Sequence, residues 1–258
     1  WVVHANPRVI PALLLEDGQF VKTRNFLDPV YVGDPVNILS IFNEFEVDEI
    51  VVLDIRAAQS RVPTPVAELR HYAGECFIPL AYGGGLTSID QLSELFNAGF
   101  EKAILNSVLA DEPRFVEIAA AKFGSQAIVA SIDVIATPEG ESVVVHGGRD
   151  LVGQAPVEWA QRAVGLGVGE ILLTSVDREG TGKGYDLDLI TRVQSAVDIP
   201  VIAHGGAGSR EDLAGPILDS GASAVAAGSL FVFQGKDRGV LVNYPARSQI
   251  VKLLSSTS

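Results

Sequence analysis

Short apolar runs rich in Val, Ile, Leu and Ala recur along the chain. They predict strands near Val9–Leu15, Glu49–Ile55, Phe77–Tyr82, Lys102–Asn106, Ala127–Val134, Glu170–Ser175, Ile199–His204 and Ser223–Gly228. Between them lie stretches whose apolar positions recur at helical spacing, among them Ser88–Asn97, Glu112–Lys122, Pro156–Leu166 and Asp186–Ala196. Strands alternating with helices of this length imply βαβ units and a parallel sheet. The runs are apolar throughout, as in a sheet covered on both faces. Eight units in 258 residues is about 32 residues each, which fits an α/β fold of the closed (β/α)8, or TIM, barrel type. An open doubly wound sheet gives no reason for eight regular units.

The pattern also repeats. Asp48-Glu49-Ile50-Val51-Val52-Leu53 is echoed by Gly169-Glu170-Ile171-Leu172-Leu173-Thr174, and Ile78-Pro79-Leu80 by Ile199-Pro200-Val201, both at an offset of 121. Gly83-Gly84-Gly85 returns within Gly205-Gly206-Ala207-Gly208, and Asn106-Ser107-Val108-Leu109 as Gly228-Ser229-Leu230-Phe231, both at 122. Residues 1–123 and 124–258 therefore read as two half-barrels of one domain spanning 1–258, with no linker-like stretch between them.

Composition narrows the function classes. Hydrophobic residues make up 47% of the chain, enough for a large core and too many for a disordered one. The net charge is −13, from 19 Lys and Arg against 32 Asp and Glu, which argues against nucleic-acid binding but not against a local anion site. No apolar run has the ~20 residues of a membrane helix. No secretory leader is read at the N-terminus. The single cysteine, Cys76, forbids an intrachain disulfide and points to a reducing, cytoplasmic setting. With no plausible base near it in sequence, it reads as a structural thiol.

In a barrel of this kind the chemistry sits at the C-terminal ends of the strands. The glycine clusters 83–85 and 205–208 fall there, and so do Ser107 and Ser229 at matching places. Glycines let backbone N–H groups approach an anion, although they also serve tight turns. As a symmetric pair they predict a phosphorylated small molecule with phosphates at both ends. Asp133 ends the fifth run among apolar neighbours and is placed for general acid–base work. The repeat puts Leu14 at the place related to Asp133, so the mouth has one carboxylate where two would be symmetric. Asp54 and Asp177 either bind ligand hydroxyls or order their loops. Lys22 lies in a predicted long loop, residues 16–36, and either closes on a phosphate or is an ordinary solvated lysine. His204 ends the seventh run and lines the mouth, whereas His4, His71 and His146 read as surface or loop residues. The histidines show no metal-ligand spacing, and no dinucleotide or P-loop motif occurs, so neither metal nor cofactor is expected. At the opposite end, Arg8, Glu49, Lys102 and Glu170 stand at strand starts and predict a ring of alternating charge closing the barrel.

These segments resemble the HisF family in order: Ile10-Pro11, Asp17-Gly18 with Lys22, Gly33-Asp34-Pro35, Leu53-Asp54-Ile55, Gly83-Gly84-Gly85, Phe123-Gly124-Ser125-Gln126, Ser131-Ile132-Asp133 and His146-Gly147-Gly148. The resemblance continues through residues 169–175, Asp177-Arg178 with Gly180-Thr181, Gly184-Tyr185-Asp186 and residues 205–208. That family supplies the cyclase barrel of imidazole glycerol phosphate synthase. The resemblance implies a HisH-like glutaminase on the N-terminal face, an ammonia gate at Arg8, Glu49, Lys102 and Glu170, and ammonia passing to a phosphorylated substrate. It implies ligand-binding roles for Lys22, Asp54, Gly84, Gly85, Asn106, Ser107, Thr174, Asp177, Gly180, Gly205, Gly206, Gly208 and Ser229. Two positions depart from the cyclase pattern: Leu14 and Glu179 stand where it has aspartates. The sequence is more similar to the HisF-like, glycosyl amidation-associated WbuZ branch, in Ile10–Leu15, Tyr31–Pro35, Pro79–Gly85, Gly228–Phe233 and Asn243-Tyr244-Pro245. The function expected first is therefore delivery of ammonia to a sugar amidotransferase in surface-polysaccharide (lipopolysaccharide) assembly. Next come the cyclase (lyase) of histidine biosynthesis and a non-catalytic scaffold that activates the glutaminase. Leu14 predicts little turnover of the cyclase substrate.

Overall fold

A computed structural model describes residues 7–234 and 239–255, so His4 lies outside the described residues. Eight parallel strands close into a barrel: β1 (Arg8–Glu16), β2 (Ile50–Asp54), β3 (Leu80–Gly83), β4 (Lys102–Leu105), β5 (Ile128–Thr137), β6 (Glu170–Ser175), β7 (Val201–His204) and β8 (Ala224–Ala227). Each pairs with its neighbours in chain order, and β8 pairs with β1 to complete the ring. Helices between the strands cover the outside. Among the described residues no helix is long and apolar enough to cross a membrane.

Local chemistry sets the boundaries. The helix Ile89–Ala98 begins at a capping box, with Ser88 and Gln91 satisfying each other's backbone N–H groups, and stops at Gly99 with φ 112°. Asp34 caps Pro35–Glu44 by accepting from the Asn37 N–H at 3.0 Å, with proline at the first helical position. β3 and β7 start later than the apolar runs suggest, at Leu80 and Val201. Pro79 and Pro200 have no N–H to give the ladder, although their carbonyls accept from Ile50 and Ile171 at 2.9 and 3.0 Å. Phe77, expected in a strand, is 91% exposed.

Two larger expectations are corrected. Residues 16–36 do not form a loop. Gln19–Arg24 and Leu27–Gly33 form antiparallel strands continuing from β1. Asp17 and Gly18 adopt φ 48° and 75° in the two-residue turn between Glu16 and Gln19, a geometry Asp-Gly favours. Asp133 does not end its strand either. β5 runs on to Thr137 because residues 133–137 pair with Gly140–Val144 in a second hairpin. Asp133 lies where the barrel ladder gives way to that hairpin, since Ser175↔Val134 is the last β6–β5 pair.

Side chains alternate across a strand, so every second residue shares the barrel interior. Read inward from the strand starts, these positions run Arg8-Ile10-Ala12-Leu14, Glu49-Val51-Leu53, Lys102-Ile104-Asn106 and Glu170-Leu172-Thr174. The interior is thus layered: charge at the N-terminal end, an apolar middle and a mixed C-terminal mouth. The middle cluster comprises Ile10, Ala12, Val51, Ala81, Ile104, Val129, Leu172, Ile202, Ala224 and Ala226. A separate, larger core fills the space between barrel and helices, where Trp159, Tyr82, Phe42 and Leu39 are fully buried. Cys76 is buried there with its thiol toward the Ile78 carbonyl at 3.8 Å, and burial pushes its pKa up, as suits an inert thiol.

Candidate active site

The N-terminal charges close into a ring. Arg8 binds Glu49 with one guanidinium nitrogen and Glu170 with the other. Lys102 Nζ donates to Glu49 at 2.9 Å and to Glu170 at 2.7 Å. Each carboxylate thus bridges both cations. Burial works against the charge on Arg8, but Glu170 and Glu49 outweigh it and its pKa is raised. Both glutamates are buried, whereas the cations keep partial contact with water.

At the other end a cavity of about 160 Å³ opens at the mouth. Asp133 on β5 and Leu14 on β1 both line it, four strands apart around an eight-stranded ring and so on opposite walls. Asp133 accepts from Asn106 Nδ2 at 3.2 Å and from the Ser131 hydroxyl at 3.3 Å. Burial is the main influence on its carboxyl and raises the pKa to about 7, with the hydrogen bond from Ser131 opposing the rise. A carboxyl poised near neutrality is suited to both accepting and giving a proton. Leu14 supplies only hydrocarbon.

The remaining expected residues divide. Gly84, Gly85, Asn106, Ser107 and Thr174 line the same cavity as Asp133. Asp54 lines it too, but its oxygens hold the β2 loop: they accept from Ala57 N at 2.7 Å, from Tyr82 Oη at 3.1 Å and from the Thr64 hydroxyl. Ser107 Oγ donates to Asn106 at 3.3 Å and accepts from the His146 N–H at 3.1 Å, tying the mouth to the second hairpin. Asp177 is exposed, lies outside the cavity and accepts from the Ala136 N–H at 2.7 Å, so it orders its loop. Gly208 lines neither cavity. Its N–H and that of Ser209 both donate to Asp212 at 2.8 Å, and the carboxylate occupies the place expected for an anion.

Lys22 is neither in a loop nor solvated. It is 3% exposed on the first hairpin, 3.6 Å from Glu179. It lines a second cavity of about 10 Å³ together with Gly180, Gly205, Gly206, Gly228 and Ser229. That volume suits about one water rather than a phosphate, and Lys22 itself fills the space, its Nζ lying 2.2 Å from a Cβ built on Gly228. Phosphate at this second glycine cluster requires Lys22 to move.

The sequence marks Glu179 only as a departure from the cyclase pattern and gives Ser131 no role. Glu179 is buried and accepts from Thr23 Oγ1 at 3.1 Å and Phe26 N at 3.3 Å. It thereby docks the hairpin tip over the mouth, where Asn25 and Phe26 hold φ of 54° and 64°. Non-glycine residues in that region are commonly held so near functional sites. Asp17-Gly18 was the readable signal for this hairpin. Ser131, two residues before Asp133 and so on the same strand face, was readable from the period of two. Among the described residues, no group of three or more His, Cys, Asp or Glu side chains is placed to hold a metal ion.

The close approach at Gly206 sets up a stability test. Its φ is 116°, and a Cβ there would stand 2.1 Å from the Gly184 carbonyl oxygen. Gly206→Ala is expected to lower unfolding stability by roughly 1–3 kcal/mol from backbone strain alone, and by more if the Gly184 turn cannot yield. Urea denaturation measures it, and an unchanged midpoint would show that the turn relaxes freely.

Residues 8–237 match the family model described as "Histidine biosynthesis protein". A Hyphomonas neptunium protein, named imidazole glycerol phosphate synthase subunit HisF, is 44% identical over 226 residues, covering 88% of this chain and 90% of its own. A Pseudomonas aeruginosa protein, named provisionally as imidazole glycerol phosphate synthase subunit hisF2, is 46% identical over 239 residues, 92% of this chain and 95% of its own. A Leptospira interrogans protein, named provisionally as the HisF subunit of that synthase, is 40% identical over 243 residues, 93% and 96% of the two chains. Matched by the family model from β1 through β8 and by such relatives over most of its length, the chain belongs to the HisF family of histidine-biosynthesis proteins.

Proposed function

We propose that this chain is the ammonia-accepting, synthase-side subunit of a glutamine amidotransferase. Ammonia from a HisH-type glutaminase would enter through the Arg8, Glu49, Lys102 and Glu170 ring and meet a phosphorylated acceptor beside Asp133. The observation that carries this reading is the layering of the interior. A charged ring and a mouth with a near-neutral carboxyl are separated by a middle of apolar side chains. Ammonia is small and neutral, whereas ammonium entering such a layer bears the cost of burying a charge. Ala12, Ala81, Ala224 and Ala226 keep that layer slim. It is packed rather than open, so passage needs small side-chain motions.

Two acceptor reactions fit. The relatives' names favour the cyclase, or lyase, reaction of imidazole glycerol phosphate synthase. Leu14 facing Asp133 favours the other, in which the barrel passes ammonia to a third protein, a sugar amidotransferase. Mixing the chain with a HisH-type glutaminase is expected to raise glutamine hydrolysis and yield a complex docked on the ring. Failure to bind or activate the glutaminase overturns the proposal. Supplying the cyclase substrate with ammonium salts then separates the acceptors. Product at an enzyme-like rate assigns the cyclase reaction. Its absence, with glutaminase activation retained, assigns delivery to another protein.

A further inference from the structure

The mouth cavity is acidic. Asp54, Asp111, Asp133 and Glu179 line it, and among the described residues Arg61 is its one lysine or arginine. Lys22 lines the second cavity instead and faces Glu179. A phosphorylated ligand entering a chain of net charge −13 needs a local cation, and in this cavity only Arg61 supplies one.

The fold holds Arg61 in place. It ends the helix Ile55–Ser60 as its C-terminal cap, with φ 59° and its N–H donating to the Ala57 carbonyl at 2.8 Å. A left-handed residue at a helix end is usually glycine, so an arginine kept there bears a backbone cost. Gly85 seats the same loop. A Cβ on it would stand 2.8 Å from Pro63 N and 2.9 Å from the Val62 carbonyl carbon. That glycine is therefore required for packing the Arg61 loop onto the mouth.

The guanidinium already holds an oxyanion of the chain's own. Arg61 Nη2 binds Asp111 Oδ2, at the end of the short helix Val108–Asp111 that follows β4. His146 Nε2 lies 3.0 Å from that same oxygen and 3.0 Å from Arg61 Nη2, while its Nδ1 lies 2.7 Å from Asp150 Oδ2. One carboxylate oxygen thus sits between a guanidinium and an imidazole at the rim of the cavity. Arg61 Nε and Nη1 have no hydrogen-bond partner among the described residues, and the side chains of Arg61 and Asp111 both reach water. Hydrogen bonds also tie this rim to the acid–base group. The His146 N–H donates to Ser107 Oγ at 3.1 Å, Ser107 Oγ to Asn106 Oδ1 at 3.3 Å, and Asn106 Nδ2 to Asp133 Oδ2 at 3.2 Å.

We propose that Arg61, walled by His146, is the phosphate contact of the mouth, and that Asp111 holds its place until a ligand phosphate displaces it. The planar guanidinium presents donors in a fork that matches two phosphate oxygens. Its Nε and Nη1 are open to that use, and Asp111 has solvent to swing into. A phosphate monoester bound here would extend from the rim toward Asp133. The assignment rests on the reading that the mouth takes a phosphorylated acceptor.

The test titrates the whole chain, without a partner, with inorganic phosphate and with glycerol 3-phosphate at low salt, followed by phosphorus NMR. Arg61→Gln is expected to weaken binding by about tenfold or more, the scale of a hydrogen bond to a charged group. Asp111→Ala removes the competing carboxylate and is expected to tighten binding by about fivefold, the upper worth of an exposed ion pair. The opposite signs separate a phosphate contact from a merely structural pair, whose loss on either side would weaken binding alike. Urea midpoints confirm that both variants fold. Binding unchanged in Arg61→Gln overturns the assignment and leaves the phosphorylated acceptor standing. Weakening in both variants overturns it as well. No binding of either probe to the unaltered chain or to Asp111→Ala removes both the contact and the phosphorylated acceptor. Acetate bound as tightly as glycerol 3-phosphate overturns the phosphate assignment in favour of a carboxylate site. The expected pattern in a chain that fails to activate a glutaminase upholds the contact and removes the ammonia reading.

Discussion

Replacing Asp133 by Asn is expected to lower ammonia-dependent turnover at the mouth by about 10²–10⁴-fold, the usual worth of a positioned general acid–base group. Steady-state rates with saturating ammonium, in place of glutamine, isolate the effect from the partner. Asn is nearly the same shape, and it retains a carbonyl oxygen for the Ser131 and Asn106 donors. Its effect on stability should therefore depend on pH with a definite sign. Burial raises the Asp133 pKa from 3.8 to about 7, so the folded chain binds its proton more tightly than the unfolded chain does. Stability from this group is fully present below about pH 4 and is lost as pH rises through about 7. The loss is at most about 1.4 kcal/mol per pH unit across that window. Asp133→Asn should thus gain on the unaltered chain between pH 5 and pH 8 in paired urea titrations. A stability difference that is flat with pH, or a loss of turnover under tenfold, removes Asp133 from its assigned role.

The second large effect belongs to the ring. Glu170→Ala leaves Arg8 and Lys102 sharing Glu49 alone, with an uncompensated cation in a closed barrel end. Removing one partner of a buried pair typically costs 3–5 kcal/mol. Arg8 and Lys102 keep 27% and 18% of their side chains exposed, so a value near 3 kcal/mol is expected by urea denaturation. Loss of under 1 kcal/mol would place the ring with ordinary surface pairs. The functional arm compares glutamine-dependent with ammonia-dependent product in folded Lys102 variants. Channelling requires a selective change in the glutamine-dependent reaction. Equal loss of both, or no change in either, sinks the gate.

What could be read before folding was whatever the chain encodes locally or by repetition. Eight apolar runs at near-regular spacing were enough for the barrel, because a strand covered on both faces must be apolar along its whole length. The ring was legible because Arg8, Glu49, Lys102 and Glu170 stand at strand starts, and closure leaves starting charges nowhere to go but toward one another. Asp133 stood out as a carboxylate inside an apolar run. Asp17-Gly18 carried a hairpin signal as well, yet the stretch 16–36 around it lacked the apolar continuity that marks a barrel strand.

Tertiary structure alone decided what depends on several distant segments meeting. Lys22 reads from the sequence either as a phosphate contact or as a solvated lysine, because nothing within its own segment neutralises it. Its neighbour Glu179 comes from 157 positions further along, and the pair is buried only because the hairpin folds over the mouth. Asp177 and Glu179 are two residues apart, and only the turn geometry shows the first facing solvent and the second the site. Gly208 reads as an anion contact from its glycine cluster, and only the fold shows that Asp212 accepts from its N–H. That Thr174 is paired with Asp133 on one side and His204 on the other is written in no local pattern. Closing the barrel sets the register among β5, β6 and β7, and hydrogen-bonded register, unlike hydrophobic period, is a property of pairs of strands.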